Sequence, residues 1–295
     1  MKKKNVLITG ATSGIGYEFA RLFAEKRYNL ILIARNRDNL KKTAAEMKKI
    51  ANDPLVKITE IAIDLFEREA ALEVYKITRE RKIFVDILIN NAGQGEWGKF
   101  HETDLDREIS LVDLNINSVL GLTKYYLKDM LKKDRGKILF LASSVSKAPS
   151  PYLAVYAATK AFILSFAEAL AQENKDTNVT ITALQPDATD TDFFHKAKAE
   201  NSVTYKERKL ASPEKVAKDG FEALEKGKNV VQSGFQNKLQ SVMNNIISDD
   251  LIVSNMEKQM KLSSKIDGRT MPIHKPSLRE RKAINSFKNT INGDY

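Results

Sequence analysis

The sequence predicts a doubly wound α/β fold, with a seven-stranded parallel sheet in the order 3-2-1-4-5-6-7 and helices on both faces. Short runs rich in Val, Ile and Leu alternate six times with longer helical patterns, which is typical of strand–helix–strand units. The short runs show little polar alternation, and this favours strands buried on both faces. Glycines at positions 10, 14 and 16 join the first such run to the first helical pattern.

Short connecting segments join the predicted strands and helices. Strands are expected at residues 6–8, 30–33, 58–63, 85–89, 138–142 and 179–184, and helices at residues 16–26, 38–50, 67–80, 104–131 and 152–174. Ser212, Pro213 and Glu214 are typical of a helix start, because serine caps the first turn and proline fits its first position. That helix is expected to reach about residue 226, and residues 230–231 form the seventh strand.

The chain is long enough for one α/β domain and an appendage. We expect the domain to occupy residues 1–248, and a basic C-terminal extension, partly helical or disordered, to occupy residues 249–295. Apolar residues between 239 and 247 keep a helical period. The basic residues of the extension could serve a membrane surface, a subunit clamp or a substrate lid, and the sequence leaves these alternatives open.

Composition excludes several classes of site. The chain has no cysteine, which excludes disulfides, thiolate metal sites and a cysteine nucleophile, and fits a cytoplasmic location. His101, His195 and His274 lack the spacing of metal ligands, so no metal is expected. The net charge of +10 could attract nucleic acid, acidic lipid or a phosphate-rich cofactor, but the lysines are spread among acids, which favours a solvated surface. No run approaches the roughly 20 apolar residues of a membrane span, so no transmembrane segment is expected.

The turn after the first strand has the composition of a dinucleotide site. Gly10, Gly14 and Gly16 permit positive φ and let the backbone approach a pyrophosphate, and the following helix offers free N–H groups. A tight turn without a ligand is the alternative, although the position after strand one favours the dinucleotide. At the end of strand two, Ala34 stands where NAD enzymes usually carry an acid, and Arg35 follows. A guanidinium suits a 2′-phosphate, so NADP(H) is expected over NAD(H), with a solvated arginine as the alternative.

Tyr156 and Lys160 lie one helical turn apart on one face of a predicted helix. An ammonium group favours the phenolate and lowers the pKa of a nearby phenol, which then can act as an acid and a base near neutral pH. The preceding strand ends in Ser143 and Ser144, at the edge where open α/β sheets bind ligands. A serine hydroxyl there can donate a hydrogen bond to the oxygen that reacts.

Together these motifs make the chain resemble the short-chain dehydrogenase/reductase family, over residues 4–231. The resemblance rests on the glycine turn at residues 9–16, Asn-Asn-Ala-Gly at residues 90–93, the serine after strand five, and the Tyr156–Lys160 pair. The chain looks most similar to members related to hydroxysteroid and long-chain 3-oxoacyl reductases. The resemblance implies a Rossmann fold, hydride transfer with a nicotinamide cofactor, and homodimers or homotetramers formed through the long helices.

The resemblance also implies roles for single residues. Ser144 is expected to orient a substrate carbonyl, Tyr156 to be the acid and base, Lys160 to hold the nicotinamide ribose, and Asn115 to hold a proton-relay water. The expected cofactor-binding residues, including Arg35 from the argument above, are Thr9, Gly10, Thr12, Ser13, Gly14, Ile15, Gly16, Arg35, Asp64, Leu65, Asn91, Ala92, Gly93, Tyr156, Lys160, Pro186 and Thr191.

Two positions depart from the family pattern. Asp187 stands where the family has the glycine of a Pro-Gly pair, and an aspartate there could change the backbone geometry or the local charge. Ser143 lies 13 residues before Tyr156, which is the usual distance, and Ser144 lies 12 residues before it. We prefer Ser144 because it aligns with the strand end, which implies a one-residue deletion in the following loop.

The sequence therefore predicts an NADP(H)-dependent oxidoreductase that interconverts a small-molecule carbonyl and an alcohol. Trp97, Phe100, Tyr152, Phe193 and Phe194 fall in segments that line the family's substrate cleft, and they suggest an apolar or acyl substrate, with core packing as the alternative. The rival hypothesis is a non-catalytic NADP(H)-binding regulator or scaffold on the same fold. The intact serine, tyrosine, lysine and asparagine argue against the rival, and no reader motif supports nucleic acid as a partner.

Overall fold

In the computed structural model, which describes residues 3–234 and 249–263, seven parallel strands form one sheet in the order β3-β2-β1-β4-β5-β6-β7. The strands are β1 (Asn5–Thr9), β2 (Asn29–Ala34), β3 (Ile58–Ala62), β4 (Ile87–Asn90), β5 (Gly136–Leu141), β6 (Val179–Pro186) and β7 (Val230–Ser233). The predicted fold class is confirmed, including the short seventh strand. Every residue of β4 is buried, because helices cover both faces of the sheet.

Helices connect the strands and form two cores, one on each face. They are α1 (Gly14–Glu25), α2 (Arg37–Ala51), α3 (Ala70–Glu80), α4 (Leu105–Val112), α5 (Ser118–Lys132), α6 (Ala154–Glu173), α7 (Phe193–Lys196), α8 (Val203–Glu207), α9 (Pro213–Glu225) and α10 (Asp249–Met260). One core packs the sheet against α1, α2 and α9 through residues such as Phe19, Met47 and Val216. The other packs the opposite face against α3, α5 and α6 through residues such as Val74 and Ile163.

The predicted motifs lie at the carboxyl ends of the central strands. β1 ends at Thr9, directly before the glycine turn, and β4 ends at Asn90, directly before the Asn-Ala-Gly segment. β5 ends at Leu141, two residues before Ser143, and β6 ends at Pro186. Because carboxyl ends of parallel strands meet at one edge of the sheet, the sheet topology brings these motifs together.

The long helix predicted at residues 104–131 is interrupted. One π-helical turn, Asp113–Asn117, separates α4 from α5. Within this turn, Asn115 Nδ2 donates to the Gln94 carbonyl oxygen at 2.9 Å, and Asn115 Oδ1 accepts from the Gln94 N–H at 3.1 Å. Single π turns occur often at functional sites, and this one carries a predicted site residue.

Helix α6 corrects the expectation that no stretch is apolar enough to span a membrane. Its 20 residues have a mean hydropathy of 1.4, so within the described part of the chain α6 meets that requirement by length and composition. Ile163, Leu164 and Ala167 of this helix lie in the core against the sheet. Burial of this kind accounts for the apolar composition of α6 without a membrane.

The segment assigned to the C-terminal extension begins with helix α10. The compact unit of the structure reaches Leu262, so it includes α10 together with the sheet. The helical period at residues 239–247 lies outside the described residues, and so does the extension after residue 263. The domain boundary at residue 248 stays a prediction.

Candidate active site

A cleft of about 540 Å³ opens at the carboxyl edge of the sheet. Loops that follow β1 to β6 line it, and so do residues of α6, α8 and α10. The predicted site residues that line this cleft are Gly10, Thr12, Ser13, Gly14, Ile15, Arg35, Asp64, Leu65, Asn91, Ala92, Gly93, Ser144, Tyr156, Lys160, Pro186 and Thr191. The structure therefore brings the glycine turn and the tyrosine–lysine pair into one space.

Thr9 and Gly16 are predicted site residues that lie buried behind the cleft wall. Thr9 Oγ1 accepts hydrogen bonds from the N–H groups of Asn91 and Ala92, both at 2.9 Å, and Asn91 Nδ2 donates to the Thr9 carbonyl oxygen at 2.8 Å. These bonds fix the loop after β4 against the loop after β1. A Cβ on Gly16 would overlap the Gly10 carbonyl oxygen, so α1 can begin this close to the turn only with glycine there.

Asn115 is also buried, at 2% exposure, and it joins the π-helical turn to α6. Besides its bonds to Gln94, its Nδ2 donates to Thr159 Oγ1 at 3.0 Å. A Cβ on Gly93 would lie 3.3 Å from both Asn115 Oδ1 and Lys160 Nζ, so these two atoms flank the same glycine. The structure thus places Asn115 beside Lys160, and its relay role stays a prediction.

The N-terminus of α1 borders the cleft without a side-chain cap. Ser13 occupies the N-cap position, but its side chain makes no capping hydrogen bond, and the first turn carries no acid. By contrast, side-chain oxygens of Asn36 and Ser212 cap α2 and α9. Gly10 and Gly14 have φ values of +65° and +54°, which glycine adopts without strain. Free N–H groups and the helix dipole favour an anion at this point, so the turn fits the pyrophosphate of a dinucleotide.

Arg35 and Asp64 lie in the part of the cleft formed after β2 and β3. Arg35 Nη1 is 3.6 Å from Asp64 Oδ2, and the guanidinium is 5.8 Å from the centre of the Phe66 ring. The Arg35 side chain is 63% exposed, so a phosphate can approach it and compete with the carboxylate. Sequence reasoning missed Phe66, although an aromatic residue directly after Asp64 and Leu65 was the available signal.

The Ser143 side chain lies near the Tyr156 phenol and lowers its pKa, against the rise that burial causes. Ser143 caps the 3₁₀ turn Ser144–Lys147: its Oγ accepts from the Val145 N–H, and its own N–H donates to Ser146 Oγ at 3.1 Å. This capping box fixes the backbone of Ser143 in an extended conformation at the start of the turn.

The surroundings of Tyr156 point to Ser143 rather than to Ser144, which the strand end favoured, and the choice between them stays a prediction. Both serines line the cleft, but Ser144 is the first residue of the 3₁₀ turn, and Ser143 is the one whose side chain acts on the pKa of Tyr156. The usual 13-residue distance from serine to tyrosine was the sequence signal for Ser143, and it requires no deletion in the loop.

Burial sets the pKa of both members of the tyrosine–lysine pair. Burial raises the pKa of Tyr156 to about 12, although the Ser143 side chain opposes the rise. Burial also lowers the pKa of Lys160 to about 8. Lys160 Nζ donates to the Leu141 carbonyl oxygen at 2.6 Å and lies 5.7 Å from the centre of the Tyr156 ring. The expected lowering of the phenol pKa is not found, because burial raises the pKa and Ser143, not Lys160, is the group that opposes the rise.

Asp187, which departs from the family pattern, lines the cleft and has hydrogen-bond partners at both oxygens. Its Oδ1 accepts from the Ala188 N–H at 2.9 Å, and its Oδ2 accepts from Arg208 Nη2 at 3.4 Å. Arg208 Nη1 in turn donates to Gln259 Oε1 of α10 at 2.9 Å. Sequence reasoning missed Arg208 and Gln259 as cleft residues, because their contact joins segments about 50 residues apart.

Apolar side chains from separate segments surround Tyr156. The Phe193 ring lies 4.9 Å from the Tyr156 ring, centre to centre, and Val145 and Met256 belong to the same small apolar cluster as Tyr156. Of the aromatic residues suggested by the sequence, Phe193 and Phe194 line the cleft, Trp97 and Tyr152 stack on each other, and Phe100 is exposed. The surroundings of the phenol are therefore mainly apolar.

A family model of short chain dehydrogenases matches residues 4–202, which is more than half of the chain. The chain belongs to this family. Among short-chain dehydrogenases, the uncharacterized oxidoreductase YvaG of Bacillus subtilis is 33% identical over 189 residues, which are 64% of this chain and 69% of that protein. A very-long-chain 3-oxoacyl-CoA reductase of Mycosarcoma maydis is 34% identical over 181 residues, 60% of this chain and 51% of that protein, so the match spans about half of that relative.

Solved short-chain dehydrogenases share the fold. A short-chain dehydrogenase from Sphingobium yanoikuyae in complex with NADPH has a TM-score of 0.73 and 25% identity, and the match covers 83% of this chain and 97% of that one. An alcohol dehydrogenase from Thermococcus sibiricus complexed with 5-hydroxy-NADP has a TM-score of 0.67 and 26% identity, with 78% and 96% covered. These likenesses and the family match confirm the resemblance found in the sequence.

Proposed function

We propose that this short-chain dehydrogenase is an NADP(H)-dependent oxidoreductase that interconverts a ketone or aldehyde and the corresponding alcohol. The observation that carries the proposal is that Ser143, Tyr156 and a buried Lys160 line the same cleft as the glycine turn, with Lys160 one helical turn from Tyr156. A regulator or scaffold would not need a partly buried phenol next to a buried ammonium, because burying a charge is unfavourable. Perturbed pKa values of this kind are typical of catalytic groups.

In the proposed reaction, a nicotinamide cofactor held by the glycine turn and by Lys160 would supply or accept the hydride. During reduction Tyr156 donates its phenolic proton to the carbonyl oxygen, and during oxidation it removes the proton from the alcohol. A pKa of about 12 keeps the phenol protonated at neutral pH, which suits reduction. Ser143 donates a hydrogen bond to the same oxygen, and a protonated Lys160 stabilises negative charge on the phenol after proton transfer.

We infer the preference for NADP(H) from Arg35. Its exposed guanidinium borders the cleft next to Phe66, and Ala34 before it provides no carboxylate for a ribose 2′-hydroxyl. A planar guanidinium can bind two oxygens of a 2′-phosphate and stack on the adenine. The complexes of two structural relatives with NADPH and 5-hydroxy-NADP support the same choice.

We infer an apolar or acyl substrate from the surroundings of Tyr156. Phe193, Val145 and Met256 provide apolar surface next to the phenol, and one relative is a reductase of very-long-chain 3-oxoacyl-CoA. Each methylene that a longer substrate adds can be buried in an apolar pocket, and this tightens binding until the pocket is full.

The experiment that tests the proposal follows NADPH oxidation with ketones and aldehydes graded by chain length. We expect turnover with at least one series, rising kcat/KM with chain length, and slower turnover with NADH. Tight NADPH binding without turnover of any compound would instead support a scaffold. Homodimers or homotetramers and a cytoplasmic location stay predictions, and light scattering of the purified protein tests the first.

A further inference from the structure

Helix α10 forms a wall of the cleft that the family match does not include. The match ends at residue 202, whereas α10 spans Asp249–Met260. Met256, Gln259 and Met260 of α10 nevertheless line the cleft. A part of the chain outside the family match therefore contributes directly to the cleft surface.

Met256 lies against the groups that we assign to the reacting oxygen. It is 7% exposed and packs with Val145 and Ala157, with Tyr156 at the edge of the same cluster. Val145 belongs to the 3₁₀ turn capped by Ser143, and Ala157 follows Tyr156 in α6. The Met256 side chain is thus held between the two segments that carry the serine and the tyrosine.

Contacts with two neighbouring segments hold α10 in place. Trp97 Nε1 donates to the Met260 carbonyl oxygen at 2.8 Å, and Thr204 Oγ1 donates to the Gln259 carbonyl oxygen at 2.9 Å. Arg208 Nη1 donates to the Gln259 side chain at 2.9 Å. These bonds lie at the end of α10 that carries the cleft-lining residues, so they fix the position of those residues.

Arg208 connects the C-terminal end of α10 to Asp187, the residue that departs from the family pattern. Its Nη2 donates to Asp187 Oδ2, and Asp187 directly follows the end of β6. The carboxylate that replaces the family's glycine therefore orients an arginine, and the arginine orients Gln259 of α10. Because a guanidinium offers donors in a fixed fork, it can serve both partners at once.

We propose that Met256 is a specificity-determining residue, which limits the size of the apolar substituent on the carbonyl carbon, and that Arg208 is a positioning residue that holds α10 for this purpose. This inference rests on the proposed function. The substrate class is an apolar ketone or aldehyde whose substituent packs on Met256 and Met260. Met256 and Met260 lie one turn apart on one face, and a methionine side chain adapts to the shape of its neighbour.

The selectivity test compares acetophenone with butyrophenone, two aryl ketones that differ in the length of the alkyl substituent. We expect Met256→Ala to raise the kcat/KM ratio of butyrophenone to acetophenone by about 100-fold, because the two ketones differ by two methylenes and each methylene in an apolar pocket is worth about tenfold. Asn255→Ala is the matched control, since Asn255 is an exposed neighbour on α10 and does not line the cleft. An unchanged ratio in Met256→Ala would overturn the proposal.

A binding measurement separates this inference from the proposed function. Trp97 is the single tryptophan of the chain, stacks on Tyr152 and is bonded to Met260, so its fluorescence reports on the end of α10. The two ketones are titrated in the presence of NADP⁺, which cannot reduce them. If Met256→Ala shifts their relative affinities while the wild type turns over neither, the proposed function fails and the inference stands. If the wild type turns over both and no affinity or kcat/KM ratio shifts, the inference alone fails.

The positioning role of Arg208 is tested with Arg208→Met. We expect a severalfold higher KM for butyrophenone with little change in kcat, and a red-shifted Trp97 emission as α10 loses its bond. Lys209→Met is the matched control and should retain both wild-type properties, because Lys209 is exposed next to Arg208 and does not line the cleft. Wild-type KM and emission in Arg208→Met would overturn the positioning role.

Discussion

Ser143 and Tyr156 both line the cleft, where the Ser143 side chain lowers the pKa of the Tyr156 phenol. The capping box at the start of the 3₁₀ turn fixes Ser143, and α6 fixes Tyr156, so neither group depends on a mobile side chain for its position. A carbonyl oxygen placed between them receives a hydrogen bond and a proton from two preorganised donors. Loss of either hydroxyl should therefore slow proton transfer to the carbonyl oxygen.

Replacing Tyr156 with phenylalanine should remove the proton donor and little else. We expect kcat to fall about 10³-fold, in the range that general acid catalysis usually contributes. NADPH affinity should stay within about twofold, because phenylalanine keeps the ring packed against Phe193. Steady-state kinetics and a fluorescence titration with NADPH measure the two quantities.

The matched control for this change is Tyr205→Phe. Tyr205 precedes Lys209 with the same spacing, but its hydroxyl contacts His195 at 3.2 Å and does not line the cleft. Turnover of this control should match the wild type. Retained turnover in Tyr156→Phe would remove the phenol from the mechanism.

The two serines should differ sharply. We expect Ser143→Ala to lower kcat/KM about 10²-fold, since it removes the hydroxyl that acts on Tyr156 and a donor to the reacting oxygen. Ser144→Ala should lower it only a few-fold, although Ser144 also lines the cleft. Parallel kinetics of the two variants decide the assignment, and a larger loss in Ser144→Ala would restore the preference drawn from the strand end.

The fold was predictable because the central strands are buried on both faces. Residues such as Val6, Ile8 and Leu88 are fully buried, and a strand in that position must be a continuous apolar run. The same reasoning holds for α6, whose apolar residues Ile163, Leu164 and Ala167 pack in the core. Buried helices and spanning helices have similar compositions, so sequence alone separates them poorly.

The site was predictable only where the residues that perform the chemistry lie close together in the sequence. The spacing of Tyr156 and Lys160 indicated their shared face, but the direction of the Tyr156 pKa depends on burial, which distant residues such as Phe193 and Met256 create. The contact between Arg208 and Gln259 likewise depends on how α10 packs on the rest of the unit. No local pattern specifies contacts of that kind.

Arg35 should determine the choice between the two nicotinamide cofactors. We expect Arg35→Ala to weaken NADPH binding by about 10- to 100-fold, the loss of one charge-assisted bidentate contact, and to leave NADH binding unchanged. Arg37→Ala is the matched control, because Arg37 is an exposed arginine at the start of α2 that does not line the cleft. Equal losses for both cofactors would show that Arg35 does not bind a 2′-phosphate.

Buried Lys160 should make the stability of the cofactor-free protein depend on pH. Its pKa falls from an ordinary 10.5 to about 8, so below pH 8 the folded protein holds an ammonium that is more favourable in the unfolded chain. The pKa difference corresponds to about 3 kcal/mol of stability that the wild type loses. In Lys160→Met, loss of the hydrogen bond to the Leu141 carbonyl offsets about 1 kcal/mol of the gain. The free energy of unfolding of Lys160→Met should therefore be about 2 kcal/mol higher than that of the wild type at pH 7.

Between pH 8 and 10.5 the excess stability of Lys160→Met over the wild type should decrease. Over that range the folded wild type has already released the proton that its unfolded chain still binds, so its stability rises with pH relative to the variant. Urea unfolding at pH 7, 9 and 10.5 measures the gap, with Lys124→Met as the control on the exposed face of α5. A gap that stays constant with pH, or a variant less stable than the wild type at pH 7, would mean that burial does not depress the pKa of Lys160.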